Sequence, residues 1–169
     1  MKVIVLPGNS LKNRDWAIQV ADFLKPEFET KIIEWEHWKT GVEAGLDPKV
    51  EISKVSAAVG NDRVHIIAKS IGTWIIAQML PDFKDKIDKM VFVGVPVSDL
   101  SGSDKESYQV MADFPADKLL IIQNEHDNHG SPDQVSQFLS GINPQIRVEV
   151  RPRSDHDYPY LEEFKNFLE

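Results

Sequence analysis

A serine, an aspartate and a histidine, each standing just beyond an apolar run, are the residues of this chain whose types and order could make an alcohol reactive. Ser70 lies in Ala68-Lys69-Ser70-Ile71-Gly72-Thr73, where a run that reads as a strand gives way to one that reads as a helix. The pattern is small-x-Ser-x-Gly, a sharp strand-to-helix turn that pushes the hydroxyl out of a sheet top. Small flanking residues are needed because the two backbones approach closely there. Gly72 meets that need and Ala68 nearly does. A serine before an apolar helix also serves as a plain N-cap, so the motif needs partners. Its hydroxyl is almost wholly protonated at neutral pH and attacks well only when a base takes the proton and a third group orients that base. Asp127, in Gln123-Asn124-Glu125-His126-Asp127-Asn128-His129, and His156, in Ser154-Asp155-His156-Asp157-Tyr158, supply candidates for the two roles. Glu125 and Asp155 are alternative carboxylates close by.

These three side chains need a frame that brings them together. Short apolar runs at 3–6, 31–35, 64–68, 90–95, 119–122 and 146–150 alternate with helical periodicity along the whole chain. That alternation predicts an α/β fold of one domain over 1–169, a mainly parallel sheet between two layers of helices. Most runs are continuous Val, Ile, Leu and Phe, as strands buried on both faces should be. Ile146-Arg147-Val148-Glu149-Val150 instead alternates, which suits an edge. Ala17, Val20, Ala21 and Leu24 outline a helix ended by Pro26, and Leu161, Phe164 and Leu168 outline the last one. Asp47-Pro48 offers an N-cap and a first-turn proline, with Ile52, Val55 and Val59 on one face. Ser131-Pro132-Asp133-Gln134 adds a capping box before the stripe Val135, Phe138, Leu139, Ile142. The helix after Ser70 has few polar positions and is expected to be the most buried. In a parallel sheet the loops carrying Ser70, Asp127 and His156 all emerge at the carboxyl ends of the strands.

Acyl transfer also needs donors aimed at a developing oxyanion. One is expected from the backbone N–H of Ile71. The second is expected from the loop after the first strand, Leu6-Pro7-Gly8-Asn9-Ser10, with Asn9 the first choice and Ser10 the reserve. Gly8 lets that backbone bend towards a substrate. Trp35, His37 and Trp38, just beyond the second strand, read as pocket wall or, preferably, as edge packing.

Composition narrows the classes further. The 169 residues are 41% hydrophobic, enough for one sizeable core. A net charge of -8 without a basic cluster argues against nucleic acid. The apolar start at Met1-Lys2-Val3-Ile4-Val5-Leu6 is too short for a signal peptide or membrane span, so a membrane role is not expected and the cytoplasm is the default location. The absence of cysteine excludes disulfides and thiolate chemistry. Glu125, His126, Asp127, His129, Asp155, His156 and Asp157 form an imidazole and carboxylate cluster, but no HExxH helix or comparable spacing is present, so no metal is expected. The Gly8 loop lacks both GxGxxG and the P-loop lysine, and no organic cofactor is expected either.

Taken together, the Leu-Pro-Gly-Asn loop, the Ser70 elbow, the Asp127 loop with its Ser131-Pro132 helix start and the terminal His156 loop resemble the small lidless α/β-hydrolases typified by the retinoblastoma-binding serine hydrolases and their bacterial relatives. The order Ser, Asp, His is the order that fold uses, which makes His126 and His129 loop or pocket-wall residues. The resemblance implies strand order 2-1-3-4-5-6 and a cofactor-free hydrolysis of an ester, thioester or amide, carboxylesterase-like, through an acyl-enzyme on Ser70. Residues 96–115 are too few for a lid domain and suit a short helix or flap. Gly8, Lys69, Val97, Tyr108, Met111 and His129 are the candidates for substrate contact. Three departures stand out: Ala68 for the first elbow glycine, Lys69 in place of a histidine or other polar residue, and Thr73 for a frequent second glycine, which predicts looser helix packing there. The rival expectation is a binding module for a protein or ligand that keeps the scaffold without catalysis.

Overall fold

The computed structural model describes residues 1–40 and 45–169. Six strands form one sheet: β1 (Lys2–Leu6), β2 (Glu29–Ile32), β3 (Val64–Lys69), β4 (Ile87–Val93), β5 (Leu119–Asn124) and β6 (Val148–Arg151). Their order is β2-β1-β3-β4-β5-β6, and all five pairings are parallel. Helices α1 (Asn13–Leu24), α2 (His37–Thr40), α3 (Pro48–Val59), α4 (Ile71–Phe83), α5 (Gly102–Glu106), α6 (Pro132–Ser140) and α7 (Leu161–Leu168) fill the connections.

Period-two alternation along the strands divides the core into two layers. Ile4, Leu6, Ile66, Ala68, Met90, Phe92 and Ile121 face α3, α4 and α6, through Val55, Val59, Ile75, Ile76, Met79, Leu80, Val135 and Leu139. Val3, Val5, Ile67, Val91, Val93 and Ile122 face α1 and α7, through Trp16, Ala17, Val20, Leu24, Phe164 and Leu168. The expected caps are present. Asp47 accepts from the Lys49 amide beside Pro48, and Ser131 and Gln134 make a reciprocal capping box. Leaving those first-turn donors unpaired would cost about 1 kcal/mol per cap. Helix α4 is buried along most of its length, as its composition predicts.

Beyond extensions of one or two residues in β1, β3 and β5, three strands are shifted from the sequence reading. β2 pairs over Glu29–Ile32 rather than 31–35, because Trp35 leaves the ladder to bury its indole beneath the loop after β1. β4 starts earlier, at Ile87, and stops before Gly94, whose φ of 62° ends the extended backbone. In β6 the buried Ile146 belongs to the approach, tied by its amide to Asn143 O, and pairing begins at Val148. Both β2 and β6 are edges. Residues 96–115 fold as α5 and short 3-10 turns over Ser107–Asp113. Among the described residues, no helix is long and apolar enough to cross a membrane.

Candidate active site

The sheet reverses its strand order between β1 and β3, the place where open α/β sheets leave a crevice at the strand carboxyl ends. Ser70 stands there with φ 54° and ψ -121°; among the described residues no other non-glycine residue has a positive φ. Such backbone costs about 1–3 kcal/mol and persists only when its surroundings over-determine it. Here the Ser70 amide donates to Val93 O at 2.9 Å, while Ser70 O accepts from the Thr73 amide at 2.9 Å and from Thr73 Oγ1 at 2.7 Å. Thr73 Oγ1 is also 2.7 Å from Tyr108 Oη. Thr73 is therefore fully buried and doubly bonded, and the looser packing expected there does not occur. Gly72 is required sterically: an added Cβ would lie 2.9 Å from Leu6 Cβ and from Leu6 O, so α4 rests directly on the end of β1.

Asp127, in the loop after β5, is buried and accepts three hydrogen bonds. His156 Nδ1 lies 2.6 Å from its Oδ2, Tyr158 Oη donates to the same oxygen at 2.5 Å, and the His129 amide donates to Oδ1 at 2.8 Å. Burial by itself would raise the carboxyl pKa, but the bonds from His156 and Tyr158 outweigh it and hold Asp127 below the ordinary carboxylate value. Burial raises the Tyr158 pKa, so the phenol keeps the proton it donates. His156 Nε2 is buried and has no hydrogen-bond partner among the described residues. Glu125 is exposed, and Asp155 pairs with Arg153, so neither alternative carboxylate reaches the imidazole.

Two amide side chains at the end of β5, Gln123 and Asn124, tie these loops together. Gln123 accepts from the Val95 amide at 3.0 Å and donates to Gly130 O at 2.7 Å. Asn124 Nδ2 donates to Asp155 O and Asp157 O at 2.9 and 2.7 Å, bracketing His156. Gly94 completes the fit, since a Cβ there would lie 2.8 Å from His156 Cε1 and 2.7 Å from the Tyr158 ring. Gly94, Gln123, Asn124 and Tyr158 were not singled out from sequence. The available signals were a Gln-Asn pair closing an apolar strand and a tyrosine two residues past the histidine.

A cavity of about 540 Å³ opens at this edge. Ser70, His156, Asn9, Ser10 and Ile71 line one part, and Leu46, Trp74, Pro96 and Leu100 give it an apolar wall. Asp99, Asp104 and His129 also line it; His129 Nδ1 is 2.5 Å from Asp99 Oδ2, and its ring centroid is 4.3 Å from that of His156. The structure thus brings together Ser70, Asp127, His156, Asn9, Ser10, Ile71 and His129. It places the other five expected substrate contacts elsewhere. Tyr108 and Met111 are fully buried beneath α4, where the apolar character that suggested a pocket wall serves the core. Val97 packs against Gly130 and borders a separate shallow groove. Lys69 is buried outside the cavity lining, its ammonium over the Trp16 ring and 3.8 Å from Asp157. Burial lowers the Lys69 pKa, with Asp157 opposing. Gly8 is a buried member of the loop after β1 outside the cavity lining, its carbonyl accepting from Trp35 Nε1–H. Among the described residues, no three His, Asp or Glu side chains are grouped to hold a metal ion.

This topology, with its elbow at the end of β3, is the α/β-hydrolase fold. Solved structures agree. The chain is similar over 99% of its length to an α/β serine hydrolase homologue from Coxiella burnetii (TM-score 0.66, 19% identity, 83% of that chain). It is also similar over 99% of its length to a serine hydrolase without a lid from Xanthomonas campestris (TM-score 0.61, 14% identity, 78% of that chain). Est1E from Butyrivibrio proteoclasticus, solved with ferulic acid bound, matches over 99% of this chain and 87% of its own (TM-score 0.69, 14% identity). No protein-family model and no curated protein matches the chain by sequence.

Proposed function

We propose that the chain is a serine hydrolase that cleaves a carboxylic ester, thioester or amide of modest size. One observation carries the reading: His156, bonded to the buried Asp127 at 2.6 Å, keeps its other ring nitrogen buried and, among the described residues, unpaired beside the same cavity that holds Ser70 on its strained turn. Ser70 Oγ attacks the acyl carbonyl as its proton passes to His156 Nε2. The tetrahedral oxyanion collapses, the bond to the leaving group breaks, and His156 returns the proton to that group. Water then repeats the sequence on the acyl-enzyme, releasing the acid and restoring Ser70. Asp127 holds the imidazole in the tautomer with Nε2 free and offsets the charge it gains. The amides of Ile71 and of the Asn9–Ser10 loop meet the oxyanion. The apolar wall of Leu46, Trp74, Pro96 and Leu100 takes the acyl group.

A fluorophosphonate probe tests this directly. Wild type is expected to be labelled and Ser70→Ala to stay unlabelled. Absence of labelling of wild type between about pH 6 and 9, where a histidine base is active, would favour a binding module on this scaffold.

A further inference from the structure

Each of three consecutive carbonyls in the loop after β1 is held by a side chain that the chemistry above does not use. Trp35 Nε1–H donates to Gly8 O at 2.9 Å. Trp38 Nε1–H donates to Asn9 O at 2.8 Å, where His37 Nε2 also stands at 2.9 Å. Asn13 reaches Ser10 O with its side-chain Nδ2 at 3.0 Å and its backbone amide at 2.9 Å. A trans peptide is planar and points its N–H opposite to its C=O. Fixing Gly8 O towards Trp35 therefore fixes the Asn9 N–H in the opposite direction. Fixing Asn9 O towards Trp38 does the same for the Ser10 N–H. Neither amide donates to another group among the described residues, and both residues line the cavity.

From this geometry we infer that Trp35 and Trp38 are positioning residues of the oxyanion hole, their indole N–H groups locking the two peptide planes whose free amides face the carbonyl attacked by Ser70. The inference rests on the hydrolase reading above. Indole is suited to the task because its N–H only donates: it can hold a carbonyl but offers no acceptor that would draw the peptide N–H away from an oxyanion. Trp35 is fully buried, and the two rings brace each other edge to face, with centroids 6.4 Å apart at 71°. β2 is the edge neighbour of β1, so the residues that follow it arrive beside the loop that follows β1. Preorganised donors accelerate a reaction because they need not turn as charge develops. A loop whose carbonyls can rotate loses that advantage while its ground-state contacts persist.

The test uses Trp35→Phe and Trp38→Phe, which keep the ring and remove the N–H. With a chromogenic ester, kcat is expected to fall about 5- to 50-fold, part of the 10²–10³ that losing a whole donor costs. KM should stay within about twofold. Affinity for a boronic acid, which forms a tetrahedral adduct on the serine, should fall in parallel with kcat. Trp38→Phe, whose ring is partly exposed, guards against a trivial folding defect in Trp35→Phe; its thermal midpoint should be unchanged. An active wild type with both variants unchanged in kcat and boronate affinity overturns the positioning role alone, as does a loss confined to KM. A wild type that neither labels at Ser70 nor turns over ester removes the hydrolase reading and this inference together.

Discussion

Asp127 is the residue on which several forces meet. It gives up most of its hydration to burial and receives three protein donors in return: an imidazole, a phenol and a backbone amide. Its carboxyl therefore ionises more readily in the folded chain than in the unfolded one. The sign of the linkage follows. The stabilisation is fully present above the unfolded carboxyl value of about 3.9 and is lost as pH falls through the lower folded value. In urea titrations the stability difference between wild type and Asp127→Asn should be constant near neutrality and shrink below about pH 4. In kinetics the same change should lower kcat by about 10³–10⁴, because an amide in place of the carboxylate favours the wrong imidazole tautomer. Tyr158→Phe separates holding from catalysing. It removes the bond to the charged Asp127 and also the one its hydroxyl accepts from the Asn124 amide at 3.2 Å, so about 2–4 kcal/mol of stability should be lost, with a drop in kcat of roughly tenfold, far short of the Asp127→Asn loss.

Elements fix where those side chains stand, and two glycines show how. Gly72 lets α4 settle on the end of β1, which brings Ser70 next to the Asn9 loop. Gly94 ends β4 with a left-handed turn and leaves the space that His156 and Tyr158 occupy. Gly94→Ala meets both constraints at once. Alanine at positive φ costs about 1–2 kcal/mol, and the new methyl would push the imidazole by a fraction of an ångström or more. A thermal denaturation scan should show that loss, and kcat should fall by about 10² from the displaced base, with Ser70 still present to be labelled slowly. Much of this frame was legible in the sequence. Continuous apolar runs marked the central strands, the alternating run at 146–150 marked an edge, and the capping residues at Asp47 and Ser131 marked two helix starts. Ser70, Asp127 and His156 were legible because each follows a strand. Properties that depend on packing across the sheet were not. Tyr108 and Met111 look like pocket residues by type, yet only the tertiary fold shows that both are buried in the core, with Thr73 and α6 against Tyr108. Trp35 looked like edge packing, and the bond from its indole to Gly8 O depends on where β2 stops pairing.

At the scale of the whole molecule, charge should govern which substrates arrive. The net charge is -8, and Asp99 and Asp104 line the cavity itself. Asp99 lies against His129, and Asp104 is engaged by Ser101 at the start of α5, so both carboxylates are anchored at the site. Two terms of the same sign act on a charged ester: the long-range field of the chain and the local carboxylates. The long-range part is screened over about 10 Å at 0.1 M salt and over about 3 Å at 1 M, whereas contacts inside the cavity are screened less. Between two esters of equal size and leaving group, one with a quaternary ammonium and one with a sulfonate at the far end of the acyl chain, kcat/KM should favour the cation about tenfold in dilute buffer. The ratio should fall towards about twofold at 0.5 M salt as only the cavity carboxylates remain effective. Asp99→Asn and Asp104→Asn together should reduce the residual high-salt preference and leave the salt-dependent part largely in place. A preference that ignores salt would assign selectivity to the cavity alone, and a preference for the sulfonate would show that neither term controls access to Ser70.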